Sequence, residues 1–260
     1  MIALVTGASS GIGEATARRL AREPGAQLVL VARREDRLQA LASELGGATV
    51  IAADLTDPDA PARIAREVEQ RHGRLDLLVN NAGSAWRGRF GEAGWDNVRR
   101  HMELNFDAVA RLTEALLPIL RRSAPSSIVN VCSTAGRVAR GNSGGYSASK
   151  FALAGWSDAL HLEEQSHGVH VGLVLPGFIT TEGFPQRELV DSARTRWMVS
   201  TPDKVADAIV AAGPGGKAER YVPRAYRIAA AMRTVAPGLL RRVLGGGSTA
   251  MTPATGHGDS

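Results

Sequence analysis

Short runs rich in Val, Leu and Ile recur along this chain at 2–5, 27–31, 48–52, 76–79, 127–131, 169–175 and 220–222. Segments of helical periodicity lie between them, at about 12–22, 35–45, 58–71, 93–121, 146–166 and 203–212. A strand that is apolar on both faces has to be covered on both faces, and a helix after each strand supplies the cover. Right-handed crossovers then predict an α/β fold: a Rossmann-type doubly wound parallel sheet of about seven strands with helices on both faces. No shift in composition marks an internal boundary, so 1–244 reads as one domain. Two stretches leave the pattern. The connection 177–201 carries Phe178, Phe184 and Trp197 and reads as a lid over a site. The Gly/Ser/Thr/Pro-rich end, 245–260, reads as a disordered tail.

Composition excludes other classes. The 260 residues are 44% hydrophobic and 22% charged, as in soluble globular domains. A single cysteine, Cys132, excludes a disulfide framework and a Cys-based zinc site, and the six histidines show no metal-ligand spacing. The opening Met1–Val5 lacks a basic leader region, and no run approaches the ~20 apolar residues of a spanning helix. The expected location is cytoplasmic. Lys and Arg balance Asp and Glu over 1–216, so the whole net charge of +5 falls in 217–260. No nucleic-acid motif accompanies this basic appendage, 217–244. Nucleic acid is therefore not an expected partner, and contact with a membrane surface is the weaker alternative to packing at the substrate side or on another subunit.

Thr6-Gly7-Ala8-Ser9-Ser10-Gly11-Ile12-Gly13 follows the first strand and opens the first helix. Gly7 permits the tight turn, Gly11 lets a pyrophosphate approach the backbone, and Gly13 lets the helix pack on the sheet. The free N–H groups and positive dipole end of that helix complete an anion site. The second strand ends Ala32-Arg33-Arg34, without the carboxylate that binds the ribose 2′-hydroxyl of NAD. A guanidinium there binds a 2′-phosphate, so NADP(H) is favoured over NAD(H), with Arg33 as its reader.

Tyr146 and Lys150 stand four residues apart on one helix face. A free phenol, with a pKa near 10, is only ~0.1% ionised at neutral pH. An ammonium at ~4 Å contributes about 4 kcal/mol, near three pKa units, which would bring the phenol into the range of acid–base catalysis. Only three lysines occur against 28 arginines, which makes a lysine at this spacing notable. Ser133 lies at the end of the fifth strand, Asn80-Asn81-Ala82-Gly83 after the fourth, Asn105 within the long helix, and Pro176-Gly177 at the end of the sixth strand.

Together these motifs resemble the short-chain dehydrogenase/reductase family, in its ordinary branch of about 250 residues, over roughly 1–222. The resemblance implies a catalytic set: Tyr146 as acid/base, Ser133 as donor to the substrate oxygen, Lys150 holding the nicotinamide ribose and lowering the phenol, and Asn105 supporting a relay water. On the cofactor side it implies Gly7, Ser9, Gly11, Ile12 and Gly13 at the pyrophosphate, Asp54 and Leu55 at the adenine, and Asn81, Ala82 and Gly83 beside the ribose. Pro176, Gly177, Ile179 and Thr181 match the nicotinamide end. Ala108 replaces a glycine frequent in relatives. The implied activity is NADP(H)-dependent hydride transfer between nicotinamide and a carbonyl or secondary alcohol. The aromatic connection after Gly177 favours a lipophilic ketone, acyl thioester or sterol. The alternative is a catalytically silent NADP(H)-binding regulator. The resemblance also implies a homodimer or homotetramer built through 93–121 and 146–166. Cys132, His101, His161, Trp95 and Trp156 read as structural, and Trp86, Phe178, Phe184 and Trp197 as pocket lining.

Overall fold

Every residue of the first strand, β1 (Ile2–Thr6), is buried. Ala3 and Val5 face one apolar layer and Ile2 and Leu4 the other, as the two-residue period of a strand requires. The same division runs through β2 (Gln27–Ala32), where Leu28 and Leu30 point one way and Val29 and Val31 the other. The computed structural model describes residues 1–181 and 198–246. It continues the sheet with β3 (Thr49–Ala52), β4 (Leu77–Asn80), β5 (Ser126–Val131) and β6 (Val169–Pro176). Two short strands, β7 (Phe178–Ile179) and β8 (Val199–Ser200), pair outside it, and β9 (Glu219–Val222) closes its far edge. The seven-stranded sheet has the order β3-β2-β1-β4-β5-β6-β9, and every pairing is parallel.

Helices fill both faces. One layer holds α1 (Gly11–Leu20), α2 (Glu35–Glu44) and α7 (Pro202–Ala212), packed through Ala17, Leu38, Val205 and Ile209. The other holds α3 (Ala60–His72) and α5 (Ala108–Arg122), with Ile64, Leu112 and Leu116 inward. Beside α5 lies α6 (Gly144–Glu164), whose Leu153 and Ala154 pack on Leu173 and Leu175 of β6. The seven-stranded parallel sheet and the helices on both of its faces are those predicted from the alternating pattern.

Four expectations need correction. The helix expected over 93–121 is two: α4 (Phe90–Met102) and α5, joined by a π turn at Glu103–Asp107. A π turn widens the backbone locally, and such turns gather at functional sites. This one carries the buried Asn105. Trp95 is not a packing residue: α4 turns Asn97, Val98 and His101 to the start of α6 and leaves Trp95 63% exposed. Trp156 does pack, edge to face with Phe106 at 6.0 Å. The connection 177–201 is not irregular at its ends, because β7 and β8 pair there, Phe178 with Val199 and Ile179 with Ser200. Finally, the appendage forms α8 (Tyr226–Val235) and α9 (Pro237–Gly246), so Gly245 and Gly246 end a helix and do not begin the tail. Phe184, Trp197 and 247–260 lie outside the described residues.

Candidate active site

Strand order reverses between β1 and β4, and ligands of open parallel sheets bind at such a point, outside the carboxyl ends of the strands. A cleft of about 1030 Å³ opens there. Its walls carry every site residue predicted from the sequence except Gly13 and Asn105, which stand behind it.

The half beside β1 and β2 is built mainly from backbone. Gly7 and Gly11 adopt φ of +65° and +58°, in the left-handed region that glycine favours. A Cβ on Gly13 would stand 2.2 Å from the Gly7 carbonyl oxygen and 2.6 Å from Asn81 Nδ2, so no larger residue fits the start of α1. Asn81 braces this turn. Its Nδ2 donates to the Thr6 carbonyl (2.9 Å), while Thr6 Oγ1 accepts from the amides of Asn81 (2.9 Å) and Ala82 (3.0 Å). Ser10 precedes α1 without capping it by its side chain, which leaves the first N–H groups of the helix for an anion. The Thr181 methyl lies 3.3 Å from the point a Gly11 Cβ would occupy, bringing the segment after β6 to the same turn. Tight glycines, uncapped amides and the size of the cleft fit the pyrophosphate and riboses of a dinucleotide.

At the end of β2, Arg33 is mostly exposed and its Nη1 stands 3.9 Å from Asp54 Oδ2. Arg34 is the one that reaches the turn, donating from Nη2 to Ser9 Oγ (3.1 Å) and Ser10 Oγ (2.8 Å). Asp54 accepts from the Thr56 amide (3.0 Å) and hydroxyl (2.8 Å). These bonds, the amide first, hold its carboxyl below the usual range, with Arg33 adding to the effect.

The other half is built from side chains. Ser133, in extended backbone just beyond β5, accepts from the Ala135 amide (3.1 Å) and faces the Pro176 carbonyl at 3.5 Å. Its hydroxyl lies close enough to the Tyr146 phenol to favour the ionised form. Lys150, one turn along α6, is buried and donates from Nζ to the Val131 carbonyl at 3.1 Å. Nζ lies 5.9 Å from the centre of the Tyr146 ring. The expected depression of the phenol by Lys150 is therefore not seen. Burial pushes Tyr146 up, the nearby Ser133 hydroxyl only partly opposes it, and burial pushes Lys150 down. No carboxylate meets Lys150 among its hydrogen-bonded partners, so its remaining N–H groups suit neutral oxygens such as ribose hydroxyls.

Asn105 works from behind. Its Oδ1 accepts from the Ser84 amide (2.9 Å), and its Nδ2 donates to the Ser84 carbonyl (3.0 Å) and to Ser149 Oγ (3.1 Å). Ser149 Oγ in turn donates to the Tyr146 carbonyl at 2.8 Å, so one buried amide ties the loop after β4 to the Tyr146 turn of α6. His101 is a satisfied core histidine. It accepts from the Trp86 amide at Nε2 (2.9 Å) and donates from Nδ1 to the Asn97 carbonyl (2.7 Å), which fixes a neutral tautomer. Burial, the largest influence, pushes its pKa down. The Cys132 thiol is buried and donates to the Lys150 carbonyl at 3.2 Å, and burial pushes it up, as expected of an inert cysteine. Nδ1 of His161 pairs with the Val171 carbonyl at 3.0 Å, a structural contact. Trp86 and Phe178 line the cleft as predicted.

Three contributors escaped the sequence reading. The strand-end pattern singles out Arg33 alone, yet Arg34 is the one that bonds the turn. Arg140 lies between Ser133 and Tyr146 and enters the cleft, its guanidinium 4.3 Å from the centre of the Phe178 ring. Tyr226, the first residue of α8, packs so tightly on Gly177 that a Cβ there would fall 2.2 Å from its ring. Its hydroxyl donates to the Met198 carbonyl at 3.1 Å.

Comparison with known proteins agrees with this geometry. The family model for short chain dehydrogenase matches residues 1–189. Dehydrogenase/reductase SDR family member 7B of Bos taurus is 33% identical over 94% of this chain and 80% of its own length. The 3-oxoacyl-acyl-carrier-protein reductase FabG of Escherichia coli (strain K12) is 33% identical over 77% of this chain and 82% of its own. The structure of Pseudomonas aeruginosa RhlG, an active-site complex with NADP, superposes with a TM-score of 0.77 at 30% identity, covering 86% of this chain and 95% of that one. With the parallel sheet, the glycine turn and the Ser133–Tyr146–Lys150 arrangement already in place, these matches show that the chain belongs to the short-chain dehydrogenase/reductase family of oxidoreductases.

Proposed function

We propose that this protein is an NADP(H)-dependent reductase of lipophilic carbonyl compounds, running in reverse as a secondary alcohol dehydrogenase. The observation that carries the proposal is the Tyr146 phenol, beside Ser133 and backed by the buried Lys150, on the wall of a dinucleotide-sized cleft. When bound, the cofactor supplies the hydride that the protein cannot. Gly7, Ser9, Gly11 and Ile12 would hold its pyrophosphate, Asp54 and Leu55 its adenine, Asn81 to Gly83 its ribose, and Pro176, Gly177, Ile179 and Thr181 its nicotinamide end. Arg33 and Arg34 would read a 2′-phosphate, which supports the preference for NADPH.

Tyr146 and Ser133 orient a carbonyl oxygen between two hydroxyl donors, and the pair stabilises the charge that grows on it. Tyr146 then gives up its proton to that oxygen. Burial raises the phenol, so it is protonated throughout the neutral range. Reduction should therefore be constant with pH through neutrality and be lost as pH rises through the phenol's pKa. Trp86 and Phe178 give the cleft an aromatic mouth, which supports a lipophilic substrate. The apolar side chains exposed on α4 and α6, Trp95, Phe151 and Leu162, support self-association through these helices.

Tyr146→Phe tests the assignment, because it removes only the transferable proton. Steady-state reduction should fall by about a thousandfold, the scale of a lost general acid, while NADPH titration gives a Kd close to that of the unaltered protein. A variant that retains a tenth of kcat would overturn the role of Tyr146.

A further inference from the structure

The substrate end of the cleft holds a cation that the proposed reduction does not use. Arg140 sits in the segment between Ser133 and Tyr146, half-buried. Two contacts hold it in place, the Phe178 ring beneath its guanidinium at 4.3 Å and Thr134 Oγ1 at 3.2 Å from Nη2, and the phenol of Tyr226 lies close by. None of these groups neutralises it, and no carboxylate pairs with it among the described residues. The cleft is lined by two carboxylates. Asp54 is engaged at the far end with Thr56 and Arg33, and Glu103 forms no ion pair with Arg140. A second guanidinium, Arg87, lines the same end and is near enough to repel Arg140. Burial weakens the hold of Arg140 on its charge, as does Arg87. A partly desolvated cation that is pinned in place and faces a cleft gains most from an anion entering that cleft.

We propose that Arg140, with Arg87 beside it, is a specificity-determining site for an anionic group, a carboxylate or phosphate monoester, carried by the carbonyl substrate. The inference rests on the carbonyl-reductase reading and narrows it, from a lipophilic ketone to one that bears an acid. Phe178 stacks under the guanidinium and Thr134 takes one of its donors, so the fork meets a ligand in a set geometry. The appendage thereby comes near the specificity site: Tyr226 belongs to α8, yet its phenol lies beside the guanidinium of Arg140.

The test uses the full chain with NADPH and a series of straight-chain methyl ketones. Each ends in a carboxylate or a phosphate monoester and is paired with the methyl ester or the alcohol of equal length. The readout is the ratio of kcat/KM for the charged and neutral members, so each enzyme is its own reference. The unaltered protein should favour the charged member by about tenfold or more, mostly through KM, as charge-assisted hydrogen bonds allow. Arg140→Met should bring the ratio close to one, and Arg140→Lys should keep part of it. Whichever of carboxylate and phosphate gives the larger ratio identifies the anion. A ratio near one in the unaltered protein, or an undiminished ratio in Arg140→Met, would show a scaffolding arginine and overturn the proposal. If Arg140→Met fails to fold, calorimetry of octanoate, octyl phosphate and octanol binding to the unaltered NADPH complex decides: equal affinity overturns the site, and tighter binding of an anion supports it. If no ketone of the series is reduced, the reductase reading fails, while the same calorimetry still decides the anion site.

Discussion

The two halves of the cleft are made by different means. Beside β1 and β2 the protein offers mainly backbone: amides at an uncapped helix start, glycines at φ of +65° and +58°, and an asparagine that braces them. Beside β5 and β6 it offers side chains from widely separated segments: Ser133 after β5, Tyr146 and Lys150 on α6, Asn105 from a π turn, and Tyr226 from beyond the last strand. A backbone-built half leaves little room for substitution and suits a ligand of constant chemistry. A side-chain-built half can change one residue at a time. On the proposed function, the difference marks where cofactor binding would end and substrate choice begin.

Breaking the first half should cost most. Gly13→Ala places a methyl against the Gly7 carbonyl, where neither backbone can yield. Overpacking of this kind costs about 3 kcal/mol, so NADPH affinity measured by fluorescence titration should fall by at least about a hundredfold. Affinity within a factor of a few would mean that the turn has slack the geometry denies.

The second half should fail more gently. A chain ending at Pro223 keeps all seven strands of the main sheet and loses Tyr226 from its seat on Gly177. NADPH binding should persist, while KM for a carbonyl substrate rises by about tenfold, the scale of one lost hot contact. An unchanged KM and solution mass would make the appendage a passenger.

The smallest effect should come from the rim between cofactor chemistries. Arg33→Ala and Arg34→Ala should each raise KM for NADPH by about fivefold, near the ~1 kcal/mol of an exposed charge pair, and leave NADH almost unchanged. If only Arg34→Ala acts, the residue that bonds Ser9 and Ser10 is the sole reader.

The same contrast explains what could be read from the sequence. The glycine turn, Asn81 and the Ser133–Tyr146–Lys150 set are short motifs tied to strand ends, and strand ends follow from the apolar pattern. Arg140 and Tyr226 belong to no motif. Their importance arises from the packing of α8 onto Gly177 and of Phe178 under a guanidinium, contacts that join residues 38 and 49 positions apart and that no local pattern encodes. The π turn at Asn105 escaped for a related reason, since one added residue per turn barely disturbs helical periodicity. The pKa of Tyr146 was expected to fall because the sequence gives the spacing to Lys150 but not the burial, and burial dominates.

One measurement reaches the central proposal most directly: reduction of a panel of ketones, 3-oxoacyl thioesters and ketosteroids by the unaltered protein, followed at the nicotinamide absorbance with NADPH and with NADH. The expected result is turnover of at least one carbonyl class, with kcat/KM for NADPH at least about tenfold above that for NADH, near 1.4 kcal/mol. Tight binding of either cofactor without turnover of any carbonyl would contradict it, and would leave a protein that senses the dinucleotide and performs no chemistry on it.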